Sequence, residues 1–393
     1  MVDEQERAVS AATAARLSEL ALLFLRLGTT AFGGPAAHIA MMEDEVVRRR
    51  GWLSQAQFLD LLGATNMIPG PNSTEMAIHV GFLRAGWPGL LVAGMCFILP
   101  AAIMVTLLAA AYVRFGELPQ ALAVLYGVKP VVIGVIAQAL WRLSQTAVKT
   151  PALAVVGLAA ALLNASGADE LLVLFGAAVV VGVAGAIRFD RRTGGLAGLS
   201  LYTGAPLGTA LSASATLAAP VGLLPVFLFF LKVGSVLFGS GYVLLVFLRA
   251  DLVQHWGWLT EAQLLDATAV GQVTPGPVFT TATFIGYLLK GPTGALVATL
   301  GIFLPAFVFV AASAPLLPRL RRSPRIGAFL DGLNVGSLAL MAVVTWQLAR
   351  AALVDAPSCA LGAAATLLLV RFRVNSVWLV LGGAVVGLLV LRS

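Results

Sequence analysis

The chain contains itself twice. Phe24, Leu25, Gly28, Phe32 and Gly33 return as Phe230, Leu231, Gly234, Phe238 and Gly239, and Arg26 returns as Lys232. The same offset carries Gly51, Trp52, Leu53, Asp60, Pro69, Gly70, Pro71 and Thr74 onto Gly257, Trp258, Leu259, Asp266, Pro275, Gly276, Pro277 and Thr280. After the loss of one residue, Leu99, Pro100, Ala101 and Trp141 reappear as Leu304, Pro305, Ala306 and Trp346. A duplicated unit presents every element twice, so the copies can build one shared core and one shared site. The copies span 1–190 and 219–393, and the Gly-, Ser-, Thr- and Ala-rich stretch 191–218 reads as a connecting segment.

The solvent for these copies follows from composition. The chain is 59% hydrophobic and 11% charged, with a mean hydropathy of +0.95, far from the usage of water-soluble domains. Apolar stretches such as Leu171 to Ile187 exclude an aqueous enzyme, a nucleic-acid binder, a disordered chain and a coiled coil. The net charge of +7 belongs to cytoplasmic loops rather than to nucleic-acid contact. Cys96 and Cys359 stand inside apolar runs, which leaves neither a disulfide framework nor a thiolate metal site; no metal and no cofactor are expected. Asp3, Glu4 and Glu6 spoil the basic start of a cleavable signal peptide.

The expected fold is an all-α polytopic membrane protein, each half having about five spanning helices and a re-entrant helical hairpin. In the first half a long apolar run covers 17–42, short ones cover 55–66 and 72–84, and further runs lie near 87–112, 118–141, 151–165 and 169–187. The short pieces, like their counterparts at 261–273 and 278–290, cannot cross about 30 Å of hydrocarbon at about 1.5 Å per residue. Non-helical backbone at that depth has to be satisfied by protein or a watery cavity, so both Pro-Gly-Pro motifs mark the interior. Basic loops alternate between the copies: Arg319, Arg321, Arg322 and Arg325 oppose a first-half loop with Arg114 and Glu117, while Arg188, Arg191 and Arg192 oppose Arg392 alone. Two oppositely inserted copies, an inverted repeat, give this alternation.

Inverted repeats with broken helices near the midplane are the architecture of secondary transporters, whose substrate sits between the repeats. After each Pro-Gly-Pro a half-helix begins, with Asn72, Ser73 and Thr74 in one first turn and Thr280 and Thr281 in the other, followed by Thr283. Such an N-terminus presents unpaired N–H groups and a partial positive charge, which suits a tetrahedral oxyanion; a structural kink with hydroxyls satisfying freed backbone is the alternative. Arg26 and Lys232 lie deep in apolar runs and would neutralise a dianion, unless they snorkel or pair permanently with Asp60 or Asp266. Asp60 and Asp266 hold those cations when substrate is absent, take protons, or cap helices. Glu75 and His79 share a helix face, with Thr281 and Ile285 in the matched positions, and suggest proton coupling or a simple intrahelical bond. His38 and His255 receive no role, and Trp52, Trp87, Trp256 and Trp258 are interfacial anchors.

In this order the Phe-Gly-Gly-Pro and Phe-Gly-x-Gly elements, the Gly-Trp-Leu step and the doubled Pro-Gly-Pro resemble the chromate ion transporter family in its two-domain form, over nearly the whole chain. The resemblance implies a multi-pass carrier of the bacterial inner membrane that exports chromate, with sulfate as the look-alike anion. Its motif positions carry over onto Phe32, Gly33, Gly34, Pro35, Pro69, Gly70 and Pro71, and onto Phe238, Gly239, Gly241, Pro275, Gly276 and Pro277. The chain departs from the family at Gly239-Ser240-Gly241-Tyr242, where many members have Gly-Gly-Gly-His, and at Glu75, where Gln is commoner.

The expectation is therefore a non-enzymatic secondary carrier of a divalent oxyanion, chromate outwards, working by alternating access. Its partners are a small inorganic oxyanion and membrane lipid, with no nucleic acid; a homodimer is the oligomeric form to test. Transport of sulfate or another anion with proton coupling is the first alternative. An anion channel, or an intramembrane hydrolase built on Glu75 and His79, comes behind it. The hydrolase lacks a His-Glu-x-x-His spacing, and the chain has only three histidines.

Overall fold

The computed structural model describes residues 2–32, 34–116, 118–193, 221–238, 243–313, 324–372 and 374–390, and every regular element among them is helical. Gly33, Gly239 and Gly241, the loop arginines Arg319, Arg321 and Arg322, and the connecting segment from 194 onward lie outside the described residues.

The first half runs α1 (Val2–Thr30), α2 (Gly34–Glu43), a π-helical turn (Asp44–Arg49), α3 (Gln55–Thr65), α4 (Asn72–Phe115), α5 (Pro119–Ala147), α6 (Pro151–Ala165) and α7 (Glu170–Thr193). The second half repeats that order with α8 (Leu223–Val236), α9 (Leu244–Phe247), a π-helical turn (Leu248–His255), α10 (Glu261–Val273), α11 (Thr281–Ser313), α12 (Pro324–Ala352), α13 (Ala356–Arg371) and α14 (Ser376–Val390). A single 3₁₀ turn, Val278–Thr280, precedes α11. The apolar run 17–42 is two helices, because the chain leaves helical geometry after Thr30 and re-enters it at Gly34, whose φ is 77°.

Matched sequences make matched local structure. Ser54 accepts the Gln57 N–H at 3.2 Å while the Gln57 side chain accepts the Ser54 N–H at 2.9 Å. Thr260 and Gln263 repeat that box at 3.1 and 2.9 Å, so α3 and α10 start in the same way.

The continuous stretches α4 and α11 are each two arms. Ala85 and Gly86 (φ 63°) break one, and Lys290 and Gly291 (φ 61°) break the other with nearly the same dihedral angles. The first arms double back tightly on the second: Gly81 faces Gly89 and Gly286 faces Gly294, so that a Cβ on any of the four would strike the opposing backbone. Asn72–Arg84 reaches only about 20 Å as a helix, short of the roughly 30 Å of hydrocarbon in a bilayer.

Packing then interlocks the copies. In the first, α1 lies on α4, and in the second α8 lies on α11, but α5 packs against α13 and α14 of the other half, and α12 packs against α6 and α7. Gly127 of α5 meets Gly383 and Gly387 of α14, and Gly332 of α12 meets Ala177 and Ala178 of α7. One apolar core runs through both halves, from Val131, Ile136 and Leu174 to Phe230, Phe284 and Leu340.

Among the described residues, four helical stretches are long and apolar enough to cross a membrane: Asn72–Phe115, Pro119–Ala147, Val278–Ser313 and Gly327–Ala352. Others, such as α6 and α14 with 15 residues each, are apolar but shorter, and about five full spans per half is more than helix length alone supports.

Candidate functional site

Each Pro-Gly-Pro offers a single backbone donor, because proline has no N–H. The Gly70 N–H goes to the Leu237 carbonyl at 2.7 Å, and the Gly276 N–H goes to the Ala31 carbonyl at 3.0 Å. Ala31 and Leu237 are themselves a matched pair, each just past the end of a helix where carbonyls lack an intrahelical partner. The tip of each broken hairpin therefore seals the broken helix of the opposite half. Glycine is required at both places: Gly70 has a φ of 138° and Gly276 of 92°, and a Cβ on Gly276 would lie 2.8 Å from the Ala101 side chain and 3.1 Å from the Gly28 carbonyl. Pro69, Pro71, Pro275 and Pro277 frame these contacts, and Phe32, Pro35 and Phe238 flank the sealed helix ends.

The two tips differ in their polar lining. At the second, the Thr280 hydroxyl donates to the Pro277 carbonyl and the Thr281 hydroxyl to the Val278 carbonyl, both at 2.8 Å, while the Thr283 and Thr299 hydroxyls share a bond of 2.7 Å. At the first, Asn72 donates to the Asn66 side chain at 2.7 Å, and the buried Thr74 hydroxyl has no hydrogen-bond partner among the described residues. Glu75 is completely buried against the α-carbon of Gly70, and neither of its carboxyl oxygens has a hydrogen-bond partner there; nor has the Nε2 of buried His79.

His38, given no role by the sequence, belongs to this cluster. Its Nε2 lies 3.1 Å from the Ala31 carbonyl that also receives Gly276, and its Nδ1 lies 3.4 Å from the Ser73 hydroxyl. The tautomer that fits has Nε2–H donating and Nδ1 accepting.

Arg26 and Lys232 are not aimed at the tips. Arg26 pairs with Glu45 at 2.6 Å and Lys232 with Asp251 at 2.9 Å, with the cationic side chains 50% and 39% exposed. Glu45 and Asp251 are matched residues on the two π-helical turns, and Glu45 also meets Arg49 at 3.2 Å and Arg50 at 3.3 Å. The sequence had proposed Asp60 or Asp266 as counter-ions. The structure uses acids hidden in a run of charges, whose shared offset was the available signal.

Asp60 and Asp266 also part company. Asp60 is half-buried, whereas Asp266 is 2% exposed, with the Tyr112 hydroxyl donating to it at 2.9 Å and the Lys129 ammonium 3.2 Å away. Lys129 and Tyr112 were missed by the sequence reading, although Lys129 meets the criterion that selected Arg26, a cation inside an apolar run.

A cavity of about 370 Å³ lies elsewhere, lined among others by Asn164, Glu170, Arg249, Gln254 and Gln347 and by no residue of either Pro-Gly-Pro. Its Arg249 is held by Glu261 at 2.6 Å, and its acids make it a poor anion site.

The sequence profile of the chromate transporters matches residues 18–183 and 224–388, one segment in each half. The chain belongs to the chromate transporter family. It is 34% identical over 380 residues to the chromate transport protein of Cupriavidus metallidurans, covering 95% of this chain and 92% of that one. To the chromate transport protein of Pseudomonas aeruginosa it is 33% identical over 347 residues, covering 86% and 82%. A probable chromate transport protein of Synechococcus elongatus is 32% identical over 358 residues, with 88% of each chain covered. No solved structure matches the chain significantly. As a family member with several long apolar helices, the protein is a multi-pass membrane protein.

Proposed function

We propose that the protein is a secondary active transporter that carries chromate outwards across the bacterial inner membrane, by alternating access between two inverted halves. One observation carries this reading: the reciprocal bonds from Gly70 to Leu237 and from Gly276 to Ala31 set both broken-helix tips at the junction of the halves. A dianion placed there meets the Thr74 hydroxyl and the positive ends of the α4 and α11 helix dipoles, which stabilise negative charge without carrying a full charge themselves. The basic character of the chain supports an anion, and the names of three relatives support chromate as that anion.

Arg26 and Lys232 act in this proposal as entry cations. Each is partly exposed and is held ready by Glu45 or Asp251 in its own half. Gly34 opens α2 just past the end of α1, and Asn72, Ser73, Thr280 and Thr281 shape the two tips; Gly33 and Gly239 are kept as substrate-binding candidates on their sequence motif alone.

A second reading, an anion carried with proton coupling, is favoured by Glu75. A carboxylate without partners in the protein interior is costly and is relieved by a proton. Glu75 with His79 nearby on the same arm is thus the proton site, and sulfate is the rival substrate. Asp60 and Asp266 complete the acidic groups on the hairpins.

The test is chromate flux in proteoliposomes of the full chain, with sulfate, molybdate and phosphate as competitors. Countertransport that requires anion on the far side supports a carrier. Flux that saturates poorly and ignores the far-side anion points to a channel. Absence of chromate flux with brisk sulfate flux reassigns the substrate.

A further inference from the structure

Asp266 belongs to α10 of the second half, yet both groups that hold it come from the first: Lys129 from α5 and Tyr112 from the end of the long arm of α4. The Tyr112 ring in turn packs edge-on against Phe284 of α11, ring centres 5.3 Å apart, one turn past the second tip. The cluster is therefore a clasp between the halves, next to the second broken helix.

Lys129 has no charged counterpart in the second half. The repeat maps Asp266 onto the half-buried Asp60, but it maps Lys129 onto Asn334, which has no charge to offer.

A phenol O–H donates to one oxygen of the Asp266 carboxylate, and an ammonium pairs with the other at 3.2 Å. An ammonium has three N–H donors and no acceptor, so Lys129 has donors to spare beyond Asp266, and its side chain is not fully enclosed, with 21% of its surface exposed. An O–H and an N–H₃⁺ aimed at carboxylate oxygens suit the oxygens of a tetrahedral dianion equally well, and a dianion attracts the ammonium more strongly than a monoanion at the same distance.

We propose that Lys129, with Tyr112, is a binding cation for the transported oxyanion, and that the Asp266 carboxylate occupies the anion's place until substrate displaces it. Because Asp266 and its two donors lie on opposite halves, the displacement also undoes an inter-half clasp, which links binding to the rearrangement of the halves. The inference rests on the oxyanion reading above and names the cation that the sequence had sought in Arg26 and Lys232.

Chromate binding to the purified full-length protein tests it, by equilibrium dialysis with radiolabelled chromate beside thermal melts without ligand. Lys129→Ala is expected to weaken binding by at least about tenfold, while Lys129→Arg stays within about threefold of wild type. Asp266→Asn removes the competitor and is expected to tighten binding several-fold, even as it lowers the ligand-free melting temperature. If Lys129→Ala proves unfolded, Lys129→Arg and Asp266→Asn decide the matter. Unchanged affinity in Asp266→Asn together with a lowered melting temperature would reduce the clasp to a structural ion pair and overturn the proposal. Wild type that binds neither chromate nor sulfate defeats the oxyanion reading itself, a result visible before any variant is made.

Discussion

Arg26 and Glu45 form an ion pair of 2.6 Å, and the offset that relates the two halves carries both partners together onto Lys232 and Asp251, which pair at 2.9 Å. Arg becomes Lys and Glu becomes Asp, yet charge and geometry are kept. The pair joins the first helix of each half to the π-helical turn that leads into the hairpin, so it fixes the hairpin's entry relative to that helix.

A double-mutant cycle should register this coupling. Arg26→Ala and Glu45→Gln each destabilise the protein, and the double variant should lose less than their sum, by about 1 kcal/mol or less because the arginine is half exposed. Apparent melting temperatures in detergent measure it; strict additivity would show that the pair contributes nothing. In cells, Arg26→Ala and Lys232→Ala should both raise chromate accumulation.

Glu45 should also set an acid limit. Burial pushes its carboxyl up, but hydrogen bonds from Arg26 and Arg50 and the charges of Arg26 and Arg49 outweigh it, and the balance lies below the ordinary value of 4.5. A carboxyl with a lowered folded pKa contributes stability that is fully present above its unfolded pKa and lost as pH falls through the folded one. Melting temperatures should fall on acidification below about pH 4.5. Glu45→Gln should start lower and show a shallower fall, and an identical acid limb in the variant would contradict the assignment.

The glycines sort into two classes that substitution can separate. At Gly86 a Cβ meets nothing within 4 Å, and only its backbone conformation, φ 63° and ψ −146°, resists alanine; Gly86→Ala should cost about 1–3 kcal/mol and leave transport largely intact. At Gly81 a Cβ would run into the Gly89 backbone, which cannot step aside. Gly81→Ala should abolish flux and lower the yield of folded protein. Similar behaviour of the two variants would refute the close approach of the arms.

At the tips, Gly276→Ala combines a positive φ with a collision against Ala101 and the Gly28 carbonyl. The expected cost is about 1–3 kcal/mol of stability, with loss of chromate flux at expression levels where wild type is active. Retained flux would mean that the seal onto Ala31 is dispensable.

Glu75→Gln keeps shape while removing the proton site. The melting temperature should hold or rise, since the amide needs no proton to stay buried. Proton movement accompanying anion flux, read with a pH-sensitive dye inside liposomes, should disappear. Persisting proton movement would take Glu75 out of the coupling role.

Covalent and local rules made much of this legible in the amino-acid order alone. The duplication, the bilayer environment, the capped starts of α3 and α10 and the interruption at each Pro-Gly-Pro follow from short-range chemistry: where proline lacks an N–H, where glycine admits a positive φ, and how few charges remain to meet water. Partnership between distant segments did not follow from it. That Arg26 takes Glu45 rather than Asp60 depends on how α1 meets the π-helical turn of its own half, and that Asp266 takes Lys129 and His38 shares the Ala31 carbonyl with Gly276 depend on which surfaces of the two halves meet. Several acids stood within reach of each of these cations on paper, and only the packed backbone brings one of them within a few ångströms, where attraction outweighs the loss of hydration.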